Sequence, residues 1–244
     1  MAMTLEPGAV RVWHARPEDV WVTGDAMRAA TEWLQPVERE RFGRFRHPSD
    51  GAMFLLGRVM ARAIVGRALG VAPLAWRWRE GPRGRPEIDQ PSAEFSFNIA
   101  HSAGLVVCAL ARQVHVGVDV EYRQRPPLDR AVVSRYCSPI ERADIEAHGV
   151  EGWHDQFLKY WTLKEAYLKA RGLGIAVHLA DLSFAFRPAG IALEHLGTLA
   201  GSDTRWAFDL RRVGSDHFVA TAVSTPAGMP ACSVEPLPIE WLSV

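Results

Sequence analysis

The sequence predicts an α+β protein built from two similar subdomains related by a pseudo-twofold axis, one over residues 1–113 and one over residues 114–244. Displacing the chain by about a hundred residues lays R-A-L-G-V at 67–71 on R-G-L-G-I at 171–175, and Val10 and Val12 on Val114 and Val116. Each half also reads as a strand, helices, a long helix and then several strands, an order that makes two packed layers. Finally, V-H-V-G-V-D-V-E at 114–121 alternates strictly, as a half-buried strand does. Only the second copy carries the acids. Ala61 stands in the place of Glu165, and His14 and Ala15 in the places of Val118 and Asp119, so one active site at the junction is expected.

Taken in order, residues 10–15 form the first strand. Residues 36–47, P-V-E-R-E-R-F-G-R-F-R-H, gather Arg39, Arg41, Arg44 and Arg46, with Arg58 and Arg62 on the next helix. This is either a solvated face tied to Glu38 and Glu40 or a phosphate-binding patch. Residues 50–69 are a long helix with an Asp cap, ending at Gly70. A short strand at 76–79 leads into the basic turn E-G-P-R-G-R-P. Strands at 95–100 and 105–111 form a hairpin through Gly104, with His101 and Ser102 at its tip. After the acidic strand, residues 123–127 are a linker, and 128–136 and 139–148 are helices. Ser138, Pro139 and Glu141 are spaced as a capping box with proline at the first helical position. Strands follow at 182–186, 205–213 and 217–223, and the last dozen residues, rich in proline, are expected over the surface.

The 28 basic and 28 acidic residues cancel, so no global field draws the chain to nucleic acid or an anionic membrane. No apolar run is long enough to cross a bilayer. The opening M-A-M-T-L-E-P-G lacks the basic and apolar stretches of a secretory signal. Cys108, Cys137 and Cys232 are odd in number and widely separated, which fits neither a disulfide framework nor a structural zinc site. A cytoplasmic protein is expected.

Two stretches carry chemistry. On the acidic strand His115, Gly117, Asp119 and Glu121 share one face, successive members about 6.5 to 7 Å apart. Gly117 strips that face of bulk, so something comes close to the backbone there. F-L-K-Y-W-T-L-K-E-A-Y-L-K-A-R-G-L-G at 157–174 reads as a helix apolar all round and capped by glycine. Charges inside such a helix need partners, because a lone buried ion costs several kcal/mol. The plain alternative is a Glu165–Lys169 i, i+4 pair with Lys164 reaching to water, contributing about 0.2 to 0.5 kcal/mol.

Together these stretches resemble the signature of the 4'-phosphopantetheinyl transferase superfamily: G-[VI]-D-x-E on a strand, then about forty residues later [WF]-x-x-K-E-[AS]-x-x-K on a helix. The matches are Gly117, Val118, Asp119, Val120 and Glu121, then Trp161, Lys164, Glu165, Ala166 and Lys169. The doubled chain resembles the single-chain, pseudodimeric Sfp-type branch rather than the shorter trimeric carrier-protein synthases.

The resemblance implies Mg²⁺ on Asp119, Glu121 and Glu165, and coenzyme A as co-substrate. It places Arg41, with Arg44 second, on the 3'-phosphate, although Glu38 stands where another basic residue is expected. Gly84, Arg85 and Pro86 resemble the family's G-K-P, and F-N-I-A-H-S at 97–102 its F-N-x-[SA]-H-S, which puts Arg85 and His101 on coenzyme A phosphates. Lys164 and Lys169 would add positive charge, and Glu165 or Glu141 would take the proton from the attacking hydroxyl. The implied reaction moves 4'-phosphopantetheine from coenzyme A to a serine of an apo acyl- or peptidyl-carrier protein and releases 3',5'-ADP. A monomer is expected, serving polyketide or nonribosomal peptide synthesis and docking its carrier around Tyr136 and Ile140. Two other readings stand beside it. One is a non-catalytic module binding carrier proteins or nucleic acid through the arginines. The other is a different Mg²⁺-dependent phosphoryl-transfer enzyme, though the sequence lacks a P-loop.

Overall fold

The structure, a computed structural model, describes residues 3–21, 23–81, 85–89, 94–126, 128–174, 177–195, 205–225, 230 and 232–242. Gly84 of the basic turn, Pro127 of the linker and Ile175 of the repeat lie outside the described residues. The first half runs β1 (Val10–Ala15), α1 (Pro17–Val20), α2 (Gly24–Ala30), α3 (Pro36–Phe42), α4 (Pro48–Leu69), β2 (Trp78–Glu80), β3 (Pro86–Ile88), β4 (Phe95–Ser102) and β5 (Leu105–Arg112). The second runs β6 (Val116–Tyr122), α5 (Arg130–Tyr136), α6 (Pro139–Ala147), α7 (Gly149–Arg171), β7 (Leu182–Arg187), β8 (Gly190–His195), β9 (Trp206–Val213) and β10 (His217–Ser224). A last strand, β11 (Cys232–Pro236), follows.

The internal repeat is a repeat of topology. β1, β5 and β4 lie side by side and antiparallel, and β6, β10 and β9 do the same in the second half. The hairpins β2–β3 and β7–β8 take equivalent places. Both long helices end on a left-handed glycine, Gly70 at φ 71° and Gly172 at φ 63°, where no Cβ opposes that conformation.

Strand alternation sorts side chains into layers. Trp13, Phe97, Cys108 and Leu110 face α4, while Val10, Val12, Val107 and Ala109 face the other way. In the second half Phe218, Ala220 and Ala222 face α7, while Val116, Val118, Val120, Val219 and Val223 turn to the first half's valines. The two sheets thus share one core, with α4 and α7 on the outer faces.

At one side the sheets meet along β4 and β6. Here side chains replace the backbone ladder: the amides of Val116, Val118 and Tyr122 donate to Ser96 Oγ (3.1 Å), Asn98 Oδ1 (3.0 Å) and Ser102 Oγ (3.2 Å). Every partner lies 20 residues along the chain, so the two strands run parallel. These bonds satisfy amides that would otherwise be buried without acceptors.

Several local expectations are corrected. α4 begins at Pro48 with His47 as its cap, leaving Asp50 in the first turn, where its charge suits the helix dipole. β4 continues through Ser102, and the turn is Ala103–Gly104, with φ of 38° and 82° as a two-residue hairpin requires. His101 therefore sits in the ladder opposite Val106, not at the tip. α7 starts at Gly149, ahead of the expected Phe157. The final segment does not simply cover the surface: β11 pairs parallel with β1, Leu237 is buried, and Trp241 and Leu242 pack against α4's core. The edge of β1 would otherwise expose its unpaired backbone. Ile140 is exposed, whereas Tyr136 is half-buried with its ring edge-on to Trp161.

Candidate active site

β6 and α7 touch backbone to backbone at Gly117. A Cβ there would stand 2.2 Å from the Ala166 carbonyl oxygen and 2.4 Å from the Ala170 nitrogen, so only glycine fits. What approaches the bare face of the strand is α7 itself. This contact sets Asp119, one pleat further on, beside Glu165 and Lys169.

Lys169 Nζ donates to Asp119 Oδ1 at 2.7 Å. Asp119 is 6% exposed, and its Oδ2 is buried with no hydrogen-bond partner among the described residues. Burial, reinforced by the charges of Glu121 and Glu165, pushes its carboxyl up to about 7 against the pull of Lys169. Burial and the Glu121 charge likewise raise Glu165, again opposed by Lys169. Lys169 thus bonds across to the strand rather than along its helix to Glu165, so the plain i, i+4 reading does not hold. Glu121 accepts from Arg125 Nη1 at 2.8 Å. Nothing in the sequence pattern pointed to Arg125, because an i, i+4 pair means little where a strand runs into a loop.

Among the described residues no three His, Cys, Asp or Glu side chains stand ready at metal-ligand spacing. Glu121 and Asp119 are held by Arg125 and Lys169 instead. The donor set nonetheless fits a hard divalent cation. An orphaned, buried carboxylate oxygen adjoins two further carboxylates whose repulsion it shares, and Mg²⁺ takes oxygen ligands of this kind.

Across the β4–β6 seam the charge reverses. His101, exposed on β4, is lowered by the desolvation of its ring and then by the charges of Lys169, Arg58 and Arg41, with Asp50 opposing. Arg41, Arg58 and Lys169 therefore form a row of cations about the His101 ring, which they hold toward its neutral form. Arg41 and Arg58 both lie over the Phe54 ring, at 5.3 and 4.7 Å.

The structure does not bring the other expected residues to this place. Arg44 points to solvent and pairs with Glu40. Arg85 donates to the carbonyls of Ala170 and, at 3.4 Å, Val116, tying the first half to the last turn of α7. Lys164 and Glu141, 1% and 0% exposed, enclose one another. Lys164 Nζ donates to Glu141 Oε2 (2.6 Å), the Tyr136 carbonyl (2.8 Å) and the Leu179 carbonyl (2.9 Å). Glu141 also accepts from the amides of Ser138 (2.8 Å) and Phe184 (2.9 Å). Lys164 does not reach water, and Glu141 has no oxygen to offer a reacting hydroxyl. Glu38 explains its own departure from a basic pattern: it is buried and clamps Arg58 and Arg62.

The three acids of β6 and α7, with Lys169 among them and the guanidiniums of Arg41 and Arg58 acting on the neighbouring His101, suit a polyphosphate and its counter-ion, the requirement of a phosphoryl-group transferase. Residues 115–223 match the family model of the 4'-phosphopantetheinyl transferase superfamily, and residues 21–113 that of the 4'-phosphopantetheinyl transferase N-terminal region. The chain is 35% identical to a phosphopantetheinyl transferase of Thraustochytrium sp., over 89% of this chain and 79% of that protein. It is 36% identical to the 4'-phosphopantetheinyl transferase HetI of Nostoc sp., over 76% and 78%. It is 30% identical to the L-aminoadipate-semialdehyde dehydrogenase-phosphopantetheinyl transferase of Mus musculus, over 84% and 74%. The chain belongs to the 4'-phosphopantetheinyl transferase superfamily, and its activity is phosphopantetheinyl transfer.

Proposed function

We propose that the chain transfers 4'-phosphopantetheine from coenzyme A to a serine of an apo acyl- or peptidyl-carrier protein, with Mg²⁺, in the cytoplasm and as a monomer. The supporting observation is the orphaned Oδ2 of Asp119 beside Glu121 and Glu165, with Lys169 between these acids and the His101 ring on which Arg41 and Arg58 also act. No described helix is long and apolar enough to cross a membrane, and the balanced charge gives nucleic acid no general attraction.

Asp119, Glu121 and Glu165 would hold the metal. When bound, Mg²⁺ neutralises charge growing on the leaving phosphate. Lys169 keeps a cation beside the same carboxylates, and Arg41 and His101 take the phosphates further along the row. The carrier serine oxygen forms a bond to the phosphorus that bears pantetheine, and the bond from that phosphorus to the bridging oxygen breaks, releasing 3',5'-ADP. The serine proton passes to Glu165, directly or through one water. Glu165 is preferred to Glu141 because Glu141 is closed off by Lys164 and two amides.

The test is to incubate the protein with apo carrier, coenzyme A and Mg²⁺ and weigh the carrier. Asp119→Ala and Glu165→Gln should each abolish the added mass while the thermal transition persists. Near-normal transfer by either variant refutes the site assignment, and unmodified carriers of every type with the unsubstituted protein refute the reaction.

A further inference from the structure

Two arginines follow β6, and the fold treats them differently. Arg123 is locked in place. Its Nε donates to both carboxylate oxygens of Asp155 on α7, at 3.2 and 3.1 Å, its Nη2 to Asp155 Oδ2 and its Nη1 to the Ser215 carbonyl at 2.6 Å. The same guanidinium lies over the Phe218 ring at 5.3 Å. Arg125 is held at one point. Its Nη1 donates to Glu121 Oε2 at 2.8 Å, its only side-chain bond among the described residues, and the side chain is 25% exposed. The Arg125 amide bonds back to the Tyr122 carbonyl at 3.3 Å, closing a turn that returns the side chain toward β6.

Glu121 stands with Asp119 and Glu165 at the proposed metal site. Of these three acids, Asp119 already meets Lys169 and Glu121 already meets Arg125. Lys169 and Glu121 are the charges that act on Glu165. Asp155 cancels Arg123, and the ring of His154, near Arg125 on α7, is held toward its neutral form by burial and then by the Arg125 charge, with Asp155 opposing. At most one negative charge is therefore left uncompensated for an incoming cation. A divalent ion entering alone has to take Glu121 from Arg125, and it leaves an unpaired guanidinium beside itself where water is partly excluded. Phosphate oxygens that arrive with the ion remove this obstacle, because they bring the negative charge that a freed guanidinium pairs with.

We infer that Arg125 is a removable counter-ion of Glu121, which disfavours Mg²⁺ by itself and makes the metal and coenzyme A bind as a pair. The inference rests on the proposed coenzyme A reaction. Metal and phosphate attract one another in any such site, and Arg125 adds to that coupling by penalising the metal that comes alone. The coupling is reciprocal: coenzyme A tightens the metal by the factor by which the metal tightens coenzyme A. Arg123 could not act in this way, since moving it would break four hydrogen bonds that tie β6 to α7 and to the β9–β10 turn. Arg125 gives up one.

The experiment is calorimetric titration of the full chain with MgCl₂, without and with saturating coenzyme A, and with coenzyme A in chelator and in excess Mg²⁺. The second pair reads the same coupling where Mg²⁺ alone binds too weakly to measure. Arg125→Met should tighten Mg²⁺ alone about tenfold and lower the coupling factor by about as much, within the usual range of such couplings. Arg125→Lys keeps the charge and should stay closer to the parent. In a Glu121→Gln background, where no carboxylate holds the guanidinium, Arg125→Met should lose most of this gain. An unchanged coupling factor in Arg125→Met, or weaker binding of Mg²⁺ alone, would show an idle or merely orienting arginine and overturn the inference. If the unsubstituted protein binds metal and coenzyme A independently, this inference fails alone. If it binds no coenzyme A with or without Mg²⁺, the coenzyme A reaction itself fails.

Discussion

Replacing Lys164 by Met separates a structural lysine from a catalytic one. The ammonium makes three hydrogen bonds of 2.6 to 2.9 Å, to Glu141 Oε2 and to the carbonyls of Leu179 and Tyr136. Met fills a similar volume but bonds to none of them, leaving the carboxylate of Glu141 at 0% exposure without its counter-charge. Breaking a buried pair from one side costs about 3 to 5 kcal/mol. For a chain of 244 residues each kcal/mol moves the transition by about 2 to 4 °C, so Tm should fall by about 6 to 20 °C. Glu141→Gln should also destabilise, because it strands the ammonium instead. The double variant should be less unstable than the two losses summed, since it removes both charges at once. Differential scanning calorimetry of the four proteins measures this cycle, and the carrier assay run well below each Tm measures transfer. A Lys164→Met protein melting within about 2 °C of the parent, but inactive, would refute the reasoning and return Lys164 to the chemistry.

Gly117→Ala should be severely destabilising. Its Cβ would lie 2.2 and 2.4 Å from backbone atoms of α7, and strand or helix must move, costing about 1 to 3 kcal/mol or more. An unchanged melting curve would show that the contact is not tight. The pH dependence of metal-free stability tests Asp119. Its carboxyl ionises near 3.8 when unfolded and near 7 when folded, so the folded state holds the extra proton between those values. That contribution is complete below 3.8 and lost as pH rises through 7. Urea titrations in chelator should therefore show the parent losing stability relative to Asp119→Asn from pH 4 to 7 and levelling above; a constant difference would deny the shift.

Much of the fold was legible locally. Period-two alternation on β6 put Gly117, Asp119 and Glu121 on one face, and the four-residue interval on α7 put Glu165 beside Lys169. Both depend on backbone geometry within a single element. Less visible was β11, whose place depends on an edge left free by β1 some two hundred residues earlier. The helical start of α7 was also obscured, because residues 149–156 mix glycine, histidine and acids without a clear apolar stripe.

By itself, then, the sequence determined the doubled α+β plan, the faces on which the acids lie, and the family to which two spaced motifs belong. Only the tertiary structure decided which charges meet. Asp119 took Lys169 from Glu165, Lys164 and Glu141 closed on each other, Arg85 was tied to backbone carbonyls, and Arg44 turned to solvent on Glu40. The physical reason is that a charge's partner is set by which buried surfaces press together. Those surfaces come from segments far apart in the chain, and no spacing within one element records their contact.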